Sequence, residues 1–249
     1  MNRHTFTERT LIFILATLIL TTPALAEEIS GKETQTARTF WGLAAEKLEY
    51  RYSDTDEELA YIEGDAFYGT DELKLRWLLE AEWDKAHSAW ETLENQFVIQ
   101  TPVSEFWDAK AGLRVDTPKG QNRRYGVLGL TGLAPQWLEV DTSLFVSDKG
   151  DASMDFEVEY ELLVTNYWIA SASFETRIAF HEDRETGVGE GLNHTETGIR
   201  LSYDLAYRSF SPYVGVVHER QYGAAADMTE AEGGDTENWF AVIGARMMF

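Results

Sequence analysis

Apolar and polar side chains alternate with a period of two in segment after segment of this chain. Trp107, Ala109, Ala111, Leu113 and Val115 interleave with Asp108, Lys110, Gly112, Arg114 and Asp116. Leu138, Val140, Thr142, Leu144 and Val146 interleave with Trp137, Glu139, Asp141 and Ser143, and Met154, Phe156, Val158, Tyr160 and Leu162 with Asp155, Glu157, Glu159 and Glu161. Successive side chains of a strand point to opposite faces, so each segment predicts a strand with one apolar and one charged face. A soluble β-sandwich would bury the first face and wet the second. Three features favour a transmembrane barrel that shows its apolar face to lipid and its charged face to a lumen.

The first is the spacing of the connections. Tight ones fall at Gly69 to Glu72, Pro102 to Glu105, Leu133 to Gln136, Thr165-Asn166 and Arg208 to Pro212. Looser ones fall between them, at Ser53 to Glu57, Asp84 to Ala89, Thr117 to Arg123, Asp148 to Asp151, Glu182 to Asn193 and Gly223 to Glu237. Alternating tight and loose ends describe about twelve antiparallel strands, with short periplasmic turns and longer outer loops. The second is the gathering of aromatics near segment ends, among them Tyr50, Tyr52, Tyr68, Trp83, Trp107, Tyr125, Trp168, Tyr203 and Trp239, as in the girdles of a membrane interface. The third is the closing row Trp239, Ala241, Ile243, Ala245, Met247 and Phe249, an outward apolar face that ends on an aromatic. The expected fold is therefore all-β, a closed antiparallel barrel over 46–249, with no helical pattern longer than a turn or two. Closure leaves no backbone edge facing hydrocarbon.

The segment before the barrel reads differently. Arg3 and Arg9 precede the apolar run from Leu11 to Leu20, and Ala24-Leu25-Ala26 follows. A charged start, a short apolar core and a small-x-small site predict a cleaved export signal over 1–26. The run is too short for a membrane helix of roughly 20 residues. Residues 27–45 are read as a disordered periplasmic lead-in, because Glu27 to Thr39 is polar and without periodicity.

Charge narrows the function. The formal net charge is -22, which excludes a nucleic-acid binder, since phosphates require a basic footprint, and suits cationic ligands. The absence of cysteine removes disulfides and thiolate metal sites. Strand parity places Glu49, Arg51, Glu63, Glu80, Glu94, Arg114, Glu175, Arg177, Glu196 and Arg200 among the charged residues facing the lumen. Two readings of that lumen stand side by side: a salt-bridged filling that stiffens the barrel, and a cation path. The second is favoured locally where Asp155, Glu157, Glu159 and Glu161 line one face of a strand with few basic neighbours in sequence. His181 and His194 flank one loose connection, and with Glu182, Asp183 and Glu196 they supply ligand types for Cu(II) or Zn(II). His218 is read as an interfacial ring, and His87 as a loop residue with no evident partner. No Gly-x-Ser-x-Gly element occurs, and Gly187 to Gly191 lacks the strand and helix of a phosphate loop. No enzyme activity is expected. A rim hydrolase would need His194 or His218 hydrogen-bonded to a rim carboxylate.

Several motifs together carry a resemblance. Leu48-Glu49-Tyr50-Arg51, Gly64-Asp65-Ala66-Phe67-Tyr68-Gly69 with Lys74-Leu75, Phe106-Trp107-Asp108 with Gly112-Leu113-Arg114, Gly132-Leu133-Ala134-Pro135 with Glu139-Val140-Asp141, Leu144-Phe145-Val146-Ser147, and Pro212-Tyr213-Val214-Gly215-Val216 with Glu219-Arg220 resemble the copper resistance protein B family of proteobacteria. The likeness runs in order from about Leu48 to Phe249. It implies an outer-membrane barrel acting with periplasmic copper-handling proteins in binding, sequestering or passing copper ions, without catalysis and without a catalytic cofactor. Family members often carry an N-terminal segment rich in Met and His. Glu27 to Thr39 contains neither, so the resemblance does not carry soft-ligand copper capture to this tail.

Overall fold

The computed structural model describes residues 38–55, 57–117 and 122–249. The expected export signal and most of the lead-in lie outside the described residues. Among the described residues twelve strands follow one another: β1 (Phe40–Ser53), β2 (Glu58–Gly69), β3 (Lys74–Asp84), β4 (Ala89–Pro102), β5 (Trp107–Asp116), β6 (Arg123–Ala134), β7 (Leu138–Ser147), β8 (Ala152–Leu163), β9 (Trp168–Ala179), β10 (Gly191–Tyr203), β11 (Phe210–Gln221) and β12 (Glu237–Met248). Each pairs antiparallel with its sequence neighbours, and β1 pairs with β12 from Ala44↔Met248 to Ser53↔Phe240, closing the ring. Closure pairs the backbone all the way round, which a lipid-facing wall requires.

The period-two pattern maps onto the wall as expected. In β5, Lys110, Arg114 and Asp116 are buried toward the interior, while Ala111 and Leu113 face outward. At the end where Phe40 and Met248 are found every connection is short, among them the 3-10 turn Pro135–Trp137. Short turns mark the periplasmic end of such barrels. The longest connections, 180–190 and 222–236, lie at the other end. Aromatics pair at both rims. Tyr203 stacks on Tyr167 at 6.0 Å and meets Trp168 edge-on at 5.0 Å on the short-turn side, and Trp83 meets Trp90 at 4.9 Å on the loop side.

Two features differ from expectation. The strand β1 begins at Phe40, so the wall starts before residue 46. The register of β1 slips against both neighbours between Ala45 and Lys47/Leu48. This bulge turns two consecutive residues, Glu46 and Lys47, toward the lumen, and a period-two reading fails wherever one residue is inserted. The second difference is a helix, α1 (Gly223–Glu232), inside the connection read as irregular. Three alanines favour it, and Gly233 ends it in the left-handed conformation (φ 84), its N–H reaching back to the last carbonyls. Its Ala224 and Ala225 lie so close to Gly189 that a Cβ there would fall 2.5 Å from the Ala225 nitrogen. This contact joins the two longest outer connections.

Candidate functional site

Inward parity alone would fill the lumen with unbalanced charge, and packing resolves this by pairing across it. Arg51, fully buried, donates from Nη1 to Glu196 (2.9 Å) and Glu219 (2.6 Å) and from Nε to Glu49 (2.8 Å), with its guanidinium 4.0 Å above the Tyr61 ring. Glu49 also accepts from Arg200 at 2.6 Å and from the Tyr213 hydroxyl at 3.0 Å. Lys47 on β1 holds Glu63 at 2.7 Å and reaches Glu157 on β8 at 3.6 Å. Arg114 on β5 binds Glu94 (2.5 Å), Asp116 (2.7 Å) and Asp155 on β8 (3.3 Å), and Arg177 on β9 binds Asp155 (3.1 Å) and Glu94 on β4 (3.4 Å). The Arg114–Asp155 and Arg177–Glu94 contacts cross the lumen, whereas Arg177 and Asp155 are register partners on neighbouring strands.

The acidic row of β8 is therefore compensated from elsewhere in the ring. Asp155 is held by Arg177 and Arg114, Glu157 by Lys47, Glu159 by Arg246 at 3.2 Å, and Glu161 by Arg246 and Arg208. Its lack of basic neighbours in sequence does not survive folding, because the bases arrive from β1, β5, β9 and β12.

Two spaces remain. An inner chamber of about 480 Å³ runs from mid-barrel to the short-turn end, where Gly132, Leu133 and Glu139 border it. Among the described residues lining it, eleven are Asp or Glu and three are Lys or Arg. An outer vestibule of about 200 Å³ is bordered by Arg123, Asp151, His181, Asp183 and Thr186. Glu94, Arg114, Phe145 and Asp155 line both spaces. The Arg114–Glu94–Arg177–Asp155 quartet is thus the constriction between them, and Phe145 supports it with its ring 4.6 Å from the Arg114 guanidinium.

At the outer mouth the sequence-predicted ligand residues take separate partners. Asp183 accepts from Arg123 at 2.8 Å, and those hydrogen bonds hold its carboxyl below the usual carboxylate range. Glu185 bonds Lys149 (2.6 Å) and Arg123 (2.7 Å). Glu182 pairs with Arg184 at 2.5 Å and Glu196 with Arg51. His181 lies past the end of β9 and borders the vestibule, whereas His194 sits in β10 opposite Arg177. Among the described residues no three His, Asp or Glu side chains already converge on one metal position.

The other histidines are engaged at the rim. His87 Nδ1 is hydrogen-bonded to Asp84, a partner three residues back that the sequence reading did not assign. His218 Nε2 lies 3.1 Å from Glu237 Oε1, and its ring rests 4.4 Å from Trp239. This is a histidine–carboxylate pair at the rim, but no hydroxyl is hydrogen-bonded to the His218 ring among the described residues. Sequence reasoning missed Glu46, Lys47 and Gln96. Lys47 continues the parity of Glu49 and Arg51 and was legible on that ground; Glu46 was hidden by the bulge, and Gln96 carries no charge to draw notice.

Comparison with known proteins agrees with this geometry. A family model described as copper resistance protein B precursor matches residues 39–249. The copper resistance protein B of Escherichia coli is 32% identical over 204 residues, covering 82% of this chain and 68% of the relative. A copper resistance protein B homolog of Pseudomonas syringae pv. tomato is 33% identical over 205 residues, with the same 82% and 68% coverage. Among solved structures the NanC porin superposes with TM-score 0.52 at 13% identity, covering 82% of this chain and 98% of its own. The KdgM porin, solved in complex with disordered oligogalacturonate, superposes with TM-score 0.50 at 10% identity, covering 84% and 99%. The porins share the fold alone.

Proposed function

This chain belongs to the copper resistance protein B family, and on that premise we propose that it binds copper ions in the lumen of an outer-membrane barrel and sequesters or passes them across that membrane. The observation that carries the reading is the inner chamber, where eleven carboxylates face three basic side chains among the described residues. A low-dielectric wall around one sign of charge concentrates counter-ions. His181 and Asp183 at the vestibule supply a borderline entry station for Cu(II), with His194, Glu182 and Glu196 on the same hairpin. Copper is the cargo, no catalytic step is part of the reading, and periplasmic copper-handling proteins are the partners at the short-turn end.

A second reading, a narrow porin or structural barrel whose charges only fill the lumen, is favoured by the cross-lumen pairs Arg177–Glu94 and Lys47–Glu157. Copper tolerance and cellular copper in a deletion strain, measured against its complemented parent, separate the two. Lower tolerance and altered copper content in the deletion strain are expected; identical values in both strains would leave the filling reading alone.

A further inference from the structure

The barrel waist carries an arrangement that salt-bridged filling does not explain. Glu63, Glu80 and Glu94 stand side by side in register on β2, β3 and β4. Glu157, Glu175 and Glu196 do the same on β8, β9 and β10. Like charges directly opposite one another on a sheet are destabilising, and here two such rows occupy the two sides of one lumen. The outer members are compensated: Glu63 and Glu157 by Lys47, Glu94 by Arg114 and Arg177, Glu196 by Arg51. The central members make no ion pair among the described residues, and Arg177, whose charge reaches both, is itself held by Asp155 and Glu94. Glu80 accepts a single hydrogen bond, from the Tyr61 hydroxyl at 3.1 Å. Glu175 has neither a hydrogen bond nor an ion pair among the described residues, and both line the inner chamber.

An independent observation lies beside this belt. Gln96 is 8% exposed, lines the same chamber, and makes no hydrogen bond among the described residues. No buried side-chain nitrogen or oxygen lacks a partner among the described residues, so the unbonded Gln96 amide opens onto the chamber and is placed to meet what the chamber holds. All the side-chain donors lining the chamber that suit a cation are oxygens; no imidazole or thioether borders it among the described residues. No three carboxylates converge as ligands there. At about 30 Å³ for each water in liquid, a space of about 480 Å³ accommodates an ion with its hydration shell intact.

Resting on the reading of the barrel as a copper carrier, we infer that the Glu80–Glu175 belt is a station for hydrated divalent cations, held through their water shells, and that copper selectivity is not made in the lumen. Direct ligation would follow the order in which Cu(II) exceeds the other first-row ions and far exceeds Mg(II). Charge acting through water does not rank them that way, and it weakens with salt.

The test is equilibrium dialysis of the intact mature barrel in detergent against Cu2+, Ni2+, Zn2+ or Mg2+, each alone, with bound metal read by elemental analysis. The signal is the difference between wild type and Glu80→Gln/Glu175→Gln, which cancels binding to the acidic loops. At about 10 mM NaCl the four metals should be retained by the belt within about threefold of one another, and the retention should disappear near about 300 mM. Gln96→Glu, nearly isosteric, should raise retention about twofold; because unfolding would also free paired carboxylates for metal, heat-modified gel mobility checks that each variant is folded. Equal retention by wild type and the double variant would overturn the inference and mean that the belt is neutralised by protons instead. A belt-dependent preference for Cu2+ over Mg2+ beyond about tenfold, or retention that survives high salt, would equally overturn it by showing direct ligation. Failure of the belt leaves a copper-tolerance phenotype of the deletion strain standing, whereas absence of that phenotype removes the copper reading whatever dialysis shows.

Discussion

Replacing Arg51 by Met tests whether the ion pairs of the lumen hold the barrel together. The substitution removes the charge-assisted hydrogen bonds to three carboxylates, Glu49, Glu196 and Glu219, and the cation–π contact to Tyr61. Glu49 keeps Arg200 and Tyr213 as partners, so the loss falls on Glu196, left with Arg200 at 3.7 Å, and on Glu219, whose ion pair is with Arg51. Hydrogen bonds to charged groups contribute roughly 1.5–3 kcal/mol each, and their sum overstates the effect because the lumen is partly wet. Stranding a buried charge costs about 3–5 kcal/mol; with the Glu219 side chain 21% exposed, the lower end applies, about 3 kcal/mol. Reversible urea unfolding in lipid vesicles, followed by tryptophan fluorescence, should show the midpoint falling with the slope unchanged. Arg51→Met/Glu196→Gln/Glu219→Gln removes the stranded charges as well and should recover at least about half of the loss, because a fully neutral set carries little net penalty. Lys85→Ala, which breaks the exposed pair with Glu58, should leave the curve where it is. A shift below about 1 kcal/mol for Arg51→Met, or no recovery in the triple variant, would refute a structural role for this pairing.

Acid should release the outer connection 180–190. Asp183 sits below the usual carboxylate range because of its bonds from Arg123, so its contribution is present above the unfolded value near about 4 and is lost as pH falls through the lowered folded value. Hydrogen exchange in 180–190 should stay slow from neutral pH down to about 4 and quicken below it, and Asp183→Asn should already exchange fast at neutral pH. Arg114→Gln/Arg177→Gln opens the constriction between vestibule and chamber, so single-channel conductance in planar bilayers should rise by at least about twofold; unchanged conductance would place the barrier elsewhere. His181→Ala/His194→Ala should weaken Cu2+ binding measured by titration calorimetry on solubilised barrel, and an unchanged affinity would reject the entry station at that hairpin.

Local chemistry made the wall legible and left the interior wiring unread. Alternation in Trp107–Asp116 or Leu138–Ser147 assigns each residue to lipid or lumen because the strand period is fixed at two. That logic fails at Glu46, where an inserted residue shifts the phase. It also passed over α1, although Ala224, Ala225 and Ala226 followed by Gly233 are a helix and its cap in sequence; the faces of α1 differ too little in polarity to show a 3.6-residue period. Most pairings that neutralise Asp155–Glu161 lie beyond sequence. Arg177 stands opposite Asp155 in the β8–β9 hairpin, but Arg114 reaches the same carboxylate from β5, 41 residues earlier, and only the closed ring brings it there. Parity placed the glutamates of the waist in the lumen, but that they stand in two facing rows depends on register, which turns and bulges set.

On the proposed reading that the barrel passes copper, pairing and permeation compete for the same carboxylates. The quartet of Arg114, Arg177, Glu94 and Asp155 spans the lumen, so a cation crosses only by taking over oxygens that a guanidinium holds. A divalent ion bridging Glu94 and Asp155 displaces two guanidiniums that stay in the lumen, Arg114 keeping Asp116 as its partner, so the exchange adds positive charge and the closed state yields only where local cation concentration is high. A ligand shifts such an equilibrium only through its different affinity for the two states. The acidic chamber lies on the short-turn side of the quartet, while the mouth beyond it is tied by Arg123 and Lys149 to Asp183 and Glu185. Cu2+ accumulating from the periplasmic side therefore meets the quartet at the higher effective concentration. In planar bilayers with barrels inserted in one orientation, Cu2+ added on the short-turn side should raise conductance more than the same Cu2+ added on the loop side, and Glu80→Gln/Glu175→Gln should abolish the difference. Equal responses from the two sides would show that the chamber has no part in opening the constriction.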